Sequence, residues 1–395
     1  MIGNVHSANL TQDQAAKSFS GYIARKMPAG DAPLFALSSM LKTETALQFQ
    51  HGYWMKSMVF PSVTTSGSHA AGVTLITVTS AANIIPGMVL RVDGTGENML
   101  VLGVVGTSQI QVQRGFGTIA AATIPTATLC IQAGNAQEEA SLRPQPFTIQ
   151  MQYDDNFTHI FRNSWAVSGT AAATRVIAGS GNVSESKMDC AAMHASDIEK
   201  GTIFSQKYVG IRNGQAFHTM DGLVNIITSK VSGNVTTLGS TTTFTQFETA
   251  VDPLLNIRTD QMSGNERVMF GGGGTRKVMN QIAMKNGNYN LVDGMTSFGL
   301  QFSTFKTTRG VFRIIEHPLF NAYGSNTTYA KMALILDMAA IRYAYLGNRR
   351  TKAVDFMDED GQDAEGGTLT TELTILCYNP AACGIIYNFT QGATG

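Results

Sequence analysis

Charge is scarce in this chain. Only 14% of its 395 residues are Asp, Glu, Lys or Arg, and 28 basic residues balance 28 acidic ones for a formal net charge of zero. Such a balance excludes bulk positive charge as a means of gripping a polyanion, and a charge-rich disordered chain as well. Cysteine is sparse too. Cys130, Cys190, Cys377 and Cys383 show no CxxC spacing and no paired His, so no zinc ribbon or disulfide framework is indicated and buried, reduced thiols are expected. No run reaches the roughly 18 apolar residues of a membrane span. The start, MIGNVHSANLTQDQAAK, has neither the basic region nor the apolar core of a secretory signal. Catalytic punctuation is also missing. His51, His69, His159, His194, His218 and His317 stand at no HExxH spacing, and no GxSxG elbow occurs, so no nucleophile, base and orienter can be named and no metal or cofactor is implied.

What is present is a hydrophobic share of 43% with many Gly, Ser, Thr and Ala residues. At this length two or three units are expected. A surface short of charge suits a protein whose faces end up against other protein.

Residues 11–27 open with a Thr11/Gln14 capping box and place Ala15, Phe19, Tyr22 and Ile23 on one side, predicting a short amphipathic helix that PAGDAP (28–33) ends. From 46 to 60 the period changes to two, with Leu47, Phe49, His51 and Tyr53 on one face and Trp54 on the other; the same alternation returns in Phe147, Ile149, Met151 and Tyr153. These two strands are expected to pair as an extended hairpin. Between them, 62–135 reads as a separate sandwich or barrel of short strands at 73–78, 88–92, 99–105, 110–113 and 127–131, punctuated by Pro86-Gly87, Asp93-Gly94, Gly106-Thr107 and Gly115 to Gly117. Residues 157–167 form a further strand. The longest helix is expected at Ser184 to Lys207, with Ser184 as N-cap, Glu185 in the first turn, a stripe of Ala191, Ala195 and Ile198, and Lys187, His194 and Lys200 on the wet face. Beyond it lie helices at 244–260, shortened or bent by Pro253, and 275–285. Strands are expected at 267–270, 298–307, 311–316, 332–336, 341–346, 369–377 and 384–389, with the acidic stretch 355–365 as a solvated loop.

Three stretches invite chemistry. Gly271 to Gly274, between strand and helix, resembles a phosphate cradle, yet Lys277 lacks its flanking Gly and Ser/Thr and no GxGxxG is present, so a flexible turn is the better reading. Asp358-Glu359-Asp360-Gly361 resembles half of a calcium loop, but with Gly361 in sixth place the ends fall on Phe356 and Gly367, which carry no ligand oxygen. Arg349-Arg350-Thr351-Lys352 reads as a solvated turn.

The order of arm, hairpin, long helix on a sheet and mixed domain resembles the major capsid proteins of tailed bacteriophages. So do GYIARKMPAGDAPLFALSSMLKTETALQFQHGYWMKSMVFPSVT (21–64), NFTHIFRNSWAVSGTAAA (156–173), FRIIEHPLFN (312–321) and LILDMAAIRYAYL (334–346), which are similar to the SU-ten-like branch of that family. The resemblance implies an α+β, Hong Kong 97-type capsid fold: an N-terminal arm at 1–45, an extended hairpin loop at 46–61 and 136–155, a peripheral domain at 156–214 and 331–395 with the spine helix, and an axial domain at 215–330. The small all-β domain at 62–135 is then an insertion. It implies a non-enzymatic subunit that self-assembles through pentamers and hexamers into an icosahedral shell, made in the host cytoplasm and carried in the virion. Packaged double-stranded DNA would lie on the inner face without sequence specificity, and no membrane is involved. Separate scaffolding, portal and cement proteins are its further expected partners. Phe19 and Ile23 on the arm, and Phe49, Tyr53, Trp54, Phe147 and Ile149 on the hairpin, become interface candidates, packing within the subunit being the alternative. A tail, fibre or decoration protein is the second reading, and a nucleotide-using enzyme with Gly271 to Gly274 as its cradle the third.

Overall fold

A computed structural model describes residues 42–58, 60–175, 181–256, 264–285, 292–297, 300–324, 326–357 and 363–390. The helix expected at 11–27, with Phe19 and Ile23, lies outside the described residues. Backbone contacts divide the chain into Trp54–Tyr153 and a larger unit of Met1–Tyr53 with Asp154–Gly395.

The larger unit opens with β1 (Thr43–Ala46) and β2 (Gln50–Met55), whose last residues pass into the smaller one. The smaller unit holds β3 (Ser62–Thr64), β4 (Leu75–Thr77), β5 (Met88–Val92), β6 (Asn98–Val105), β7 (Gln109–Gln113) and β8 (Leu129–Asn135). Their order is β3-β8-β5-β6-β7-β4, and a bridge between Thr65 and Val78 joins the outer strands into a small barrel. Period-two patterning builds it: in β7, Ile110 and Val112 point inward among Ile76, Leu90, Met99 and Cys130 while the glutamines face water. Glu97, fully buried, receives Arg114 in a two-pronged pair at 2.7 and 2.8 Å together with the Gly115 and Ala122 amides. Burial pushes that carboxyl up, and these donors more than offset it, holding it below the usual range.

The larger unit continues with β9 (Gln152–Phe157), β10 (His159–Ser168), α1 (Gly169–Ala173), α2 (Asn182–Phe204), β11 (Tyr208–Arg212), β12 (Gln215–Thr219), α3 (Leu223–Lys230), β13 (Val235–Thr237), α4 (Phe244–Asn256), β14 (Glu266–Gly271), α5 (Gly273–Lys285), β15 (Val292–Ser297), β16 (Leu300–Lys306), β17 (Val311–Glu316), α6 (Pro318–Asn321), β18 (Ala333–Leu336), β19 (Ile341–Leu346), β20 (Lys352–Met357), β21 (Ala364–Cys377) and β22 (Gly384–Tyr387). One sheet runs β1-β19-β21-β10 with β20 also on β21; another runs β13-β22-β18-β14-β17-β16-β15. Adjacent residues of β14 face opposite sides, so Met269 enters the core under α4 and α5 while Phe270 enters the core shared with α2, α3 and the first sheet. Thus β18 and β22, within the stretch assigned to the peripheral domain, pair in the sheet built mainly from residues 215–330.

Several expectations shift. The long helix begins at Asn182 behind Gly181 (φ 104°), so Ser184 lies inside its first turn and is not the cap. Its buried row is Cys190, His194, Ile198 and Thr202, so Ile198 is buried as expected, whereas Cys190 and His194 take the places predicted for Ala191 and Ala195. His194 is therefore not a surface residue; its ring nitrogens meet Asn163 Oδ1 at 2.7 Å and Thr371 Oγ1 at 2.8 Å, which satisfies a neutral imidazole, and burial lowers its pKa. The acidic stretch is not all loop, because Asp355 lies in β20 and Glu365 in β21; the calcium-like residues 358–361 fall outside the described residues.

The helix meets β10 at Gly201, where an added Cβ would stand 2.5 Å from the Phe161 ring. Alanine gains about 1 kcal/mol of helix propensity there, whereas overpacking a buried ring costs about 1–3 kcal/mol. Gly201→Ala is therefore expected to destabilise the subunit, read as a lower urea midpoint; an unchanged or higher midpoint would refute the close packing.

Candidate assembly surface

The β2–β9 ribbon is fastened to the larger unit at its root by polar groups. Tyr53, 8% exposed, donates to Asp154 at 3.0 Å and to the Cys377 carbonyl, so it packs within the subunit. Burial and then the Asp154 charge push its phenol up. Asn156 spans the root: its amide donates to the carbonyls of Asp221 (3.0 Å) and Ile375 (2.8 Å), and its oxygen accepts from the amides of Asp221 and Phe157. Lys207 pairs with Asp155 at 2.8 Å, Gln50 donates to Asp155 at 2.9 Å, and Lys230 pairs with Asp154. Burial raises the Asp155 carboxyl, and Lys207 and Gln50 pull it below its ordinary value. On β1, Glu44 takes Arg342 and Tyr378 at 2.7 Å each.

In the smaller unit, next in the chain to these residues, several apolar side chains are wet. Trp54 is 66% exposed with its ring 5.0 Å from that of Tyr153. Met58, Phe60, Leu142 and Met151 are exposed more fully than Phe147, which is 39% exposed. Phe147 and Ile149, expected in a strand, lie in residues 137–151, which carry no regular secondary structure; Ile149 is half-buried. Phe49 is partly exposed, its ring 5.6 Å from Phe157 and 5.5 Å from His218. Of the candidates, Trp54 presents the most apolar surface outward, Phe49 and Phe147 do so in part, and Tyr53 does not.

The same foot holds two histidines. His218 Nδ1 bonds the Thr158 carbonyl, and His159 stacks on Phe161 at 4.1 Å with its Nδ1 buried and unpartnered. Burial, then His218, push the His159 imidazole down to about 4. Elsewhere the chemistry closes. The Gly271 to Gly274 turn is not a flexible cradle: a Cβ at Gly272 would lie 2.4 Å from the Ala330 carbonyl oxygen, and Asn321 Oδ1 already accepts from the Gly273 amide at 2.7 Å. Gly272 and Gly274 allow the backbone to touch that of Ala330, while Gly271 and Gly273 stand against the side chains of Thr275, Glu316 and Asn321. Among the described residues no cluster of three His, Cys, Asp or Glu could hold a metal. Arg349 reaches Glu372 at 3.0 Å and Arg350 stacks on Tyr345, so the basic run is tied down.

One exposed element was missed from the sequence, the β11–β12 hairpin. Its signal was legible: Asn213-Gly214, both at positive φ, flanked by YVGIR and QAFHT.

The profile of the family described as SU10 major capsid protein matches residues 4–390. A major capsid protein of Pseudomonas phage PaMx41 is 35% identical over 392 residues, covering 95% of this chain and 93% of that one. A solved structure from Microbacterium phage Oxtober96 aligns with a TM-score of 0.50 at 9% identity, covering 99% of this chain and 100% of that chain, a likeness of fold alone.

The histidine at the foot carries a signed pH dependence. Unfolded, His159 protonates near 6.5; folded, it resists to about 4. Stability is thus intact above about pH 6.5 and falls as pH drops to about 4, by about 3 kcal/mol in all. His159→Gln should flatten that part of the stability curve, measured as urea midpoint against pH, while leaving the value at pH 7.5 nearly unchanged; a parallel curve would refute the assignment.

Proposed function

Since this chain belongs to the SU10 major capsid protein family and is a phage major capsid protein of the Hong Kong 97 type, we propose that it builds an icosahedral head by closing into pentamers and hexamers around the double-stranded DNA of a tailed phage. Heterologous contacts that close into rings suit such an assembly. The observation that carries the reading is the set of exposed apolar side chains at Trp54 and Tyr153 on the ribbon, and at Met58, Phe60, Leu142 and Met151 in the irregular segments next to it in the chain, with the ribbon fastened by buried polar bonds at Tyr53 and Asn156. Apolar surface of this kind in a charge-poor chain is stabilised by burial against a neighbour, at roughly 25 cal/mol per Å². Several modest contacts per subunit then multiply.

In this reading 1–45 is the arm, 46–61 and 136–155 the overlapping loop, 156–214 and 331–395 the peripheral domain, 215–330 the axial domain, and 62–135 an inserted module. Phe19, Ile23, Phe49, Trp54, Phe147 and Ile149 are interface residues, whereas Tyr53 serves the root. The subunit assembles in the host cytoplasm, meets separate scaffolding, portal and cement proteins, and lines the DNA without reading sequence. We assign it no catalysis, because the glycine turn a nucleotide would need is filled by the chain's own Ala330 and Asn321.

Negative-stain images of the purified protein test this: closed shells are expected, and fibres or small oligomers would favour a tail or decoration protein instead. Trp54→Asp and Leu142→Asp should each abolish shells while leaving a soluble subunit with the parent's circular dichroism. Normal shells from both variants would remove the ribbon and the 137–151 segment from the interface.

A further inference from the structure

The β11–β12 hairpin stands apart from both sheets as a two-stranded ribbon. Two strands alone are marginal in water. Its β12 strand leans on β10, so β11 is the outer edge, and among the described residues no strand pairs with that edge. The edge carries neither proline nor an inward charge nor a bulge, and its guards are only its shortness and the charge of Arg212 at one end. It reads Tyr208-Val209-Gly210-Ile211-Arg212, with Tyr208 58%, Val209 51% and Ile211 82% exposed.

The register decides which backbone groups are free. The two-residue turn at Asn213-Gly214 makes Arg212 and Gln215 the closing hydrogen-bonded pair, and bonded and non-bonded pairs alternate from there. Gly210 opposite Phe217 and Tyr208 opposite Thr219 are then bonded pairs. Hence Val209 and Ile211 direct their amides and carbonyls outward, away from β12.

We propose that β11 is a self-complementary edge that pairs antiparallel with β11 of a second copy across a two-fold axis at Gly210, forming a four-stranded sheet β12-β11-β11-β12. In that register Val209 faces the second copy's Ile211, and Ile211 its Val209, so the outward backbone groups meet in two fully bonded pairs. Gly210 faces its own copy in the close, non-bonded position, where Cα atoms approach to about 4.5 Å. A side chain at 210 has no room because the Tyr208 ring already occupies that space: a Cβ on Gly210 would lie 2.6 Å from its hydroxyl. Tyr208 faces the second copy's Arg212 on the same side of the sheet, an aromatic face against a guanidinium. Reversing the strand preserves the pattern, aromatic to cation and aliphatic to aliphatic about a central glycine, so the fitting partner is the strand itself. The contact is isologous, unlike the ring-closing contacts of the shell, and suits a join between neighbouring rings. It uses the shell reading only in supposing that copies lie side by side.

The test uses the full chain with Val209→Lys and Ile211→Asp, both on exposed positions. Each single variant is expected to lower shell yield by about tenfold or more, because a charge then faces an aliphatic side chain twice in every pair. Mixing the two variants should restore assembly, since one copy's new lysine faces the other's new aspartate. A zero-length carbodiimide should then join residue 209 of one chain to residue 211 of the other, mapped by mass spectrometry. Single variants that assemble like the parent, or a mixture without that crosslink, overturn the proposal. Shells from the parent with no crosslink in the mixture sink the edge pairing alone. Absence of shells from the parent sinks the shell reading, while the crosslink assayed in free subunits still decides the edge.

Discussion

The larger unit depends on one strand. β21 is 14 residues long and pairs with β10 along one edge and with β20 and then β19 along the other. Its last seven residues, Thr371 to Cys377, are all buried, including Thr371, Glu372 and Thr374. Alternation sends Thr371 and Glu372 to opposite faces. Thr371 takes His194 of α2 on one side, and Glu372 takes Thr158 from the foot of β10 on the other. The carbonyls of Ile375 and Cys377 hold Asn156 and Tyr53 at the ribbon root. Spine helix and ribbon are therefore anchored to the same few residues, so neither can be displaced without disturbing the other's hydrogen bonds.

The scarcity of charge has a structural counterpart. Several of the ionisable side chains that do occur are inside, as fasteners. Glu97 with Arg114 closes the small barrel; Glu199 with His317 joins α2 to the start of α6 at 2.8 Å; Arg267 donates to four carbonyls in the core. In the second pair His317 Nδ1 accepts from the Leu319 amide, which leaves Nε2–H to donate to the carboxylate. Each such group is satisfied, as burial demands. The exterior of the ribbon and of β11 is correspondingly rich in aliphatic and aromatic groups, which a solitary soluble protein keeps few and scattered. A capsid subunit resolves this by association.

Where local grammar decides, the sequence was readable. Strict alternation with Gly turns placed β5, β6 and β7 of the barrel within a residue, and the strands at 311–316 and 341–346 stand where the periodicity puts them. The misses have distinct causes. His194 looks like a surface residue because polarity alone says so, yet partners on distant strands make it core. Phe147 to Met151 alternate like a strand but find no partner within the chain's described residues, and an alternating pattern without a ladder does not become a strand.

By itself, then, the amino-acid order determined a strand-rich chain with one long helix, while its class was legible only through the resemblance of stretches such as 21–64 and 156–173 to phage major capsid proteins. Low charge, missing catalytic spacing, one long helix and period-two segments in a particular succession are local properties of the chain and survive without any knowledge of packing. The tertiary structure alone decided which face of α2 is buried, that Tyr53 locks a root while Trp54 faces solvent, that Gly272 and Gly274 serve backbone contact rather than a ligand, and which edge of a small hairpin stays open. Each of those depends on groups far apart in sequence meeting at hydrogen-bond or van der Waals distance, and nothing in a neighbouring residue announces such a meeting.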